Sequence, residues 1–144
     1  ISNIRSAKSE LKITPKLFCD LSFSEKTGKL NKLVNDNLDL VKQVGRVNDV
    51  KKNKIINKNS IDILVLKEKI SLEFNEDVDL ASQKHRIQQK IENLKKQIDN
   101  LNNKLKNTAY LKNAPKEIVQ NDKNLVKELI VEDVKLRSIV SSIN

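Results

Sequence analysis

The sequence predicts an α+β chain: a small α/β unit of three or four strands and one helix, followed by a long antiparallel α-helical coiled-coil hairpin. Three observations carry this. Apolar residues recur at alternating steps of four and three on both sides of a polar bend near residues 104–119. Upstream, the period falls to two over Leu17, Cys19, Leu21 and Phe23, and β-rich runs follow at 61–66 and 70–74. Aromatic residues make up only 3% of 144 residues, with no Trp or Met, which argues against a large globular core and suits helices that bury a narrow seam.

In chain order, Ile1, Ile4, Ala7 and Leu11 form a helical stripe with Arg5, Lys8 and Glu10 off it, and Pro15 ends the helix at or before Thr14. The alternation from Leu17 to Phe23 reads as a half-buried strand, with Cys19 a small core residue and Ser24 a cap for the next helix. Leu30, Leu33, Val34, Leu38, Val41 and Val44 make one amphipathic helix that Gly45 closes. Lys51, Lys52, Lys54 and Lys58, interleaved with Asn53, Asn57 and Asn59, read either as a phosphate-contacting loop or as a solvated connection with Ile55 and Ile56 in a short strand. Ile61–Leu66 and Ile70–Phe74, joined by Lys67–Lys69, form a hairpin, the first run being apolar enough for the central strand. Glu76, Asp77 and Asp79 do not match a calcium loop, and capping by Asp77 or Asp79 accounts for them better.

The first arm carries the seam Leu80, Lys84, Ile87, Ile91, Leu94, Ile98, Leu101 and Leu105. The second carries Ile118, Asp122, Leu125, Leu129, Glu132, Leu136, Ile139 and Ile143, a weaker seam because two slots are acidic. Neither arm contains Gly or Pro after Val78 except Pro115 at the bend, where Asn113 reads as an N-cap and Glu117 faces the positive end of a helix dipole. A short connection makes the arms antiparallel, and the first would project about 40 Å at ~1.5 Å per residue.

The bend pattern Lys104-Leu105-x-Asn107-x-x-Tyr110-Leu111-x-Asn113-Ala114-Pro115-x-x-Ile118-Val119 resembles the tip of the C-terminal coiled coil of the valyl-tRNA synthetase family, which typically shows an aromatic, an Ala-Pro and a Val-Val pair there. A second run resembles the end of that family's helical anticodon-binding domain: Ile1, Ile4, Arg5, Glu10, Ile13 and Pro15 match, with Lys8 in place of an Arg and Leu11 in place of a Met. The stretch Asn37–Arg46 resembles its linker helix, while a Gly-x-Ile-Asp pattern common near the start of the arm is missing. The resemblance implies three parts: 1–14 as the last anticodon-domain helix, 15–78 as a linker, and 79–144 as a tRNA-binding arm. It also implies valine as the amino acid, ATP with Mg for the full enzyme, upstream catalytic, editing and anticodon-binding domains in the same chain, and a cytoplasmic monomer. The initial residue is Ile, so the expectation is a piece of a longer product.

Charge is consistent with an anionic partner: 28 Lys and Arg against 19 Asp and Glu give +9, although the abundance of Lys, Asn and Ile together also fits a coding bias. Residues 79–144 carry 13 basic and 8 acidic residues, a net of +5. By resemblance the tRNA-contacting candidates are Lys84, Arg86, Lys90, Lys95, Lys104, Lys106 and Lys112, with Arg5 and Lys8 candidates for the anticodon region; a solvated coiled-coil flank is the alternative for the arm. Tyr110 could stack on a base or pack against the arms. No catalytic group, cofactor or metal is expected in this segment. The single histidine, His85, has no nucleophile to serve, and the His-x-Gly-His and Lys-Met-Ser-Lys-Ser signatures that bind ATP in class I synthetases are both absent. One cysteine excludes an internal disulfide, and no apolar run reaches the ~18 residues of a bilayer span. Two other classes stay open: a protein-interaction or dimerisation rod, and a free-standing basic nucleic-acid binder.

Overall fold

The computed structural model describes residues 1–23, 28–51, 59–75 and 77–144. It divides into two compact units, Ile1–Gln83 with Ser141–Asn144, and Lys84–Val140. Ser24, Lys52–Lys58 and Glu76, with the cap, strand and phosphate-loop readings attached to them, lie outside the described residues.

The first unit is a four-stranded mixed sheet carrying three short helices. Helix α1 (Ser2–Glu10) turns through Lys12 at φ 54 into β1 (Cys19–Phe23). Helices α2 (Gly28–Asp36) and α3 (Leu38–Gly45) lead to β2 (Val47–Lys51), which lies parallel to β1. A hairpin of β3 (Ser60–Val65) and β4 (Glu68–Glu73) completes the order β2-β1-β4-β3, with β4 antiparallel to both neighbours. Leu21, Phe23, Ile61, Ile70 and Leu72 bury on the sheet with Ile4, Leu30, Val34 and Val41 from the helices. Helix α1 packs against β3 and α3 inside this unit, so Thr14 is not where the compact units part.

Four details differ from the sequence reading. The single helix expected over 30–44 is two, because Asn37 leaves the helical region (φ −125, ψ 30) and its Nδ2 donates to Leu33 O at 2.9 Å. Asparagine competes for backbone groups in this way, and so breaks the helix without a glycine. The residue that reverses the chain after α3 is Arg46, left-handed at φ 53, whereas Gly45 remains helical and buried. The central strands are β1 and β4, with the apolar β3 at an edge. Tertiary position explains this: Leu64 is 64% exposed, while β4 buries Ser71 and Glu73 beside Ile70 and Leu72, with Ser71 Oγ donating to Asp62 Oδ1 and Glu73 Oε2 accepting from Lys51 Nζ. Ile143 bridges to Ile61, and Asn144 N donates to Ser60 O at 2.9 Å, which caps part of that edge.

Lys8 is the fourth difference. Read as a surface cation near the anticodon region, it is 1% exposed, and its Nζ donates to the carbonyls of Leu17 (2.7 Å), Gly45 (3.3 Å) and Arg46 (3.4 Å). A lysine so enclosed satisfies backbone acceptors of the α3–β2 turn and cannot meet a polyanion. Burial holds its pKa below the usual value, and burial likewise raises that of the neighbouring Cys19 thiol. Arg5 stays exposed on α1.

Candidate nucleic-acid interface

The second unit is built from two long helices. Helix α4 (Leu80–Lys106) starts from an Asp79 cap: Ser82 N donates to Asp79 Oδ1 at 3.0 Å and Ser82 Oγ to Oδ2 at 2.6 Å, and these bonds lower the carboxyl pKa. The bend contains a short helix, α5 (Thr108–Asn113), before α6 (Lys116–Ser142). Asn107, and not Asn113, is the capping asparagine: its Oδ1 accepts from Ala109 N at 3.0 Å and Tyr110 N at 3.3 Å. Asn113 ends α5, and Pro115 offers its carbonyl to Val119 N, a role that needs no N–H of its own.

Burial draws the seam. On α4 it is the expected one, with Leu80, Ile87, Ile91 and Leu94 buried and Ile98, Leu101 and Leu105 half-buried towards the tip. On α6 it is shifted at three slots. Ile118 and Leu125 are 47% and 42% exposed, whereas Val126 and Ile139 are each 9% exposed and Val119, Asp122, Leu129, Asp133, Leu136 and Val140 are half-buried. The α6 seam therefore steps through 119, 122, 126, 129, 133 and 136, and closes with Ile139, flanked by Val140, and Ile143. It shares 122, 129, 136, 139 and 143 with the sequence reading and replaces 118, 125 and 132 by their next neighbours.

At the tip one carboxylate joins α4, α5 and α6. Asp122 Oδ2 accepts from Tyr110 Oη at 2.6 Å and pairs with Lys104 Nζ at 3.0 Å, while Lys104 Nζ lies 4.6 Å from the centre of the Tyr110 ring. Tyr110 and then Lys104 hold the Asp122 carboxyl below its usual range, and Asp122 and then Tyr110 raise the Lys104 ammonium. Tyr110 is thus tied by its hydroxyl and covered by a cation on one face, the packing alternative of the two read from the sequence.

The candidate cations do not share one face. Lys84 fills a seam slot half-buried, Arg86 is half-buried with a partner of its own, and Lys104 is committed to Asp122. Lys90, Lys95, Lys106 and Lys112 are exposed. Lys116 and Lys123 on α6, not among the sequence candidates, are exposed too, and among the described residues none of these six has an ion-pair partner. Their heptad positions on the weaker arm were the signal that could have found them. Lys51, from the basic cluster, is bound to Asp20 (3.0 Å) and Glu73 (3.3 Å), whose bonds raise its pKa.

Nothing described has the form of a catalytic or metal centre. His85 is exposed and 3.0 Å from Gln89 Nε2, no group of three metal-ligating side chains occurs among the described residues, and the hollow of about 250 Å³ beneath α2 and α3 is walled by Ile4, Leu21, Leu30, Val34, Val41 and Ile70. No described helix is long and apolar enough to cross a membrane.

Residues 79–144 match the family described as Valyl tRNA synthetase tRNA binding arm. Over nearly its whole length the chain is also similar to proteins named valine–tRNA ligase. The one from Pelagibacter ubique is 28% identical over 123 residues, covering 85% of this chain and 14% of that protein. The one from Mesorhizobium japonicum is 27% identical over 128 residues (89% and 14%), and that of Aquifex aeolicus 24% over 140 residues (97% and 12%). The chain spans about 14% of the length of the curated relatives it matches first.

Proposed function

Because residues 79–144 match the valyl-tRNA synthetase tRNA-binding-arm family, and the rest of the chain is similar to valine–tRNA ligases, we propose that this is the tRNA-holding C-terminal portion of such an enzyme. The observation that carries the reading is the coincidence of that family match with a helical hairpin whose exposed lysines mostly have no ion-pair partner among the described residues. Each helix of the hairpin is 27 residues long, about 40 Å at ~1.5 Å per residue, enough to run along one side of a folded RNA. Ammonium groups on such a rod meet phosphates without reading bases, so the segment positions tRNA while the chemistry lies elsewhere. Attachment of valine to its tRNA, with ATP and Mg, belongs in this reading to upstream domains of a cytoplasmic monomer, and neither ATP-binding signature occurs in these 144 residues.

Filter binding of tRNA to the 144-residue chain across a potassium chloride series tests it. The expected result is an affinity that falls log-linearly with salt, by roughly 0.7–0.9 in slope per phosphate contact, and that is lost when Lys84–Val140 is replaced by a short linker. Retention of affinity without the hairpin would overturn the reading. A second reading, a protein-interaction rod, is favoured by the exposed Ile130, Val131 and Val134 on α6. Sedimentation showing concentration-dependent self-association, unaffected by tRNA, would select it instead.

A further inference from the structure

The two flanks of the hairpin are chemically different, and the tip shows which is which. A heptad seam leaves, on each helix, one position flanking either side, and in an antiparallel pair like flanks face one another. The Lys104–Asp122 pair marks the first flank. In the register that burial defines up to residue 136, this side also presents Lys90 and Gln97 from α4 and Ile118, Leu125 and Glu132 from α6, and its next α6 position, Ile139, is enclosed. Its Lys104 cation is already neutralised, and α6 contributes mainly apolar side chains there.

The opposite flank presents Gln88, Lys95 and Asn102 from α4, and Lys116, Lys123, Ile130 and Arg137 from α6. No carboxylate occupies any of these positions. Arg137 pairs with Asp133 at 2.8 Å, but Lys95, Lys116 and Lys123 are exposed and have no ion-pair partner among the described residues. Successive flank positions on one helix are seven residues apart, or about 10.5 Å. The nearest acids, Glu92 and Asp99, stand one step further round α4.

We infer that the flank of Lys95, Lys116 and Lys123 is the side of the hairpin that faces the RNA backbone, and that the Lys104–Asp122–Tyr110 flank faces away from it. A free ammonium releases condensed counterions in full when it meets a phosphate, whereas Lys104 must first give up Asp122. The inference rests on the tRNA-holding reading and assigns its face.

The test is tRNA binding by the 144-residue chain as a function of salt, with circular dichroism verifying helix content. In Lys95→Gln/Lys116→Gln/Lys123→Gln the salt slope is expected to fall by about 2 units, at roughly 0.7–0.9 per lost contact, with at least a tenfold loss of affinity. Lys90→Gln/Lys104→Gln is expected to change the slope by less than about 1. Glu92→Gln/Asp99→Asn, beside the assigned face, is expected to tighten binding, an outcome that misfolding cannot imitate. Equal losses from the two lysine sets, a larger loss from Lys90 and Lys104, or no gain from the acid variants overturns the face assignment while tRNA binding by the parent chain leaves the underlying reading intact. A parent chain without salt-dependent tRNA affinity overturns that reading instead.

Discussion

Lysine does opposite work in the two units. In the sheet unit Lys8 is sealed against three carbonyls, Lys51 bridges Asp20 and Glu73, and Lys69 pairs with Asp62 at 2.9 Å. On the hairpin Lys90, Lys95, Lys116 and Lys123 are exposed and have no ion-pair partner among the described residues. Residues 84–140 hold 13 basic and 7 acidic residues, a net of +6, leaving +3 for the rest of the chain. Net charge therefore understates the contrast: three lysines of the sheet unit satisfy acceptors within it, whereas these four of the hairpin have no ion-pair partner among the described residues.

The sharpest break of this contrast is Lys8→Met against Lys123→Met. The first removes the ammonium from the Leu17, Gly45 and Arg46 carbonyls, of which Arg46 O keeps the Cys19 N–H, and is expected to cost roughly 2–4 kcal/mol in urea unfolding. The second is expected to stay within about 0.5 kcal/mol. Equal costs would erase the distinction. Because burial lowers the Lys8 pKa, the folded chain binds fewer protons than the unfolded one between that value and 10.5, so the Lys8 contribution becomes more favourable as pH rises through this window.

The seam comes next. Val126→Ala is expected to cost about 1–2 kcal/mol and Leu125→Ala less than about 1, although Leu is the larger side chain, because only Val126 is enclosed. The reverse order in thermal melts would restore the register read from sequence. Smaller and of opposite sign, Lys67→Gly should stabilise by about 0.5–1 kcal/mol, since Leu66 and Lys67 both hold positive φ (50 and 68) in a two-residue hairpin turn that favours glycine.

The smallest effect is at the tip. Asp122 has its folded pKa below the usual 3.8, so its contribution is complete above that pH and is lost as the pH falls through the folded value. Asp122→Asn should lower Tm at neutral pH and reduce the loss of stability on acidification. An unaltered acid profile would mean that the Tyr110–Asp122–Lys104 contacts do not hold the bend.

How far the site could be read in advance depends on these same residues. The first arm was legible because Ile87, Ile91, Leu94, Ile98, Leu101 and Leu105 have polar neighbours, so only one heptad fits. The second was not, because Ile118-Val119, Leu125-Val126, Glu132-Asp133 and Ile139-Val140 offer chemically similar pairs, and steps of four-three and three-four fit equally well. Choosing the first residue of the first three pairs hid the flank on which Lys116 and Lys123 lie, whereas Ile139 is indeed the enclosed member of the fourth. Lys8 was misplaced for a related reason: three of its neighbours in the fold, at 17, 45 and 46, lie too far along the chain for helical periodicity to register.

By itself the sequence determined what local spacing controls: two helical arms, a capped bend with Tyr110 and Pro115, alternating strand residues, and a surplus of positive charge. Tertiary structure alone decided the α6 register, the central strands β1 and β4, and which lysines remain available to a partner. Those outcomes depend on which of several equivalent side chains is withdrawn from water and which cation finds an acceptor distant in the chain, and neither is fixed until the elements pack together.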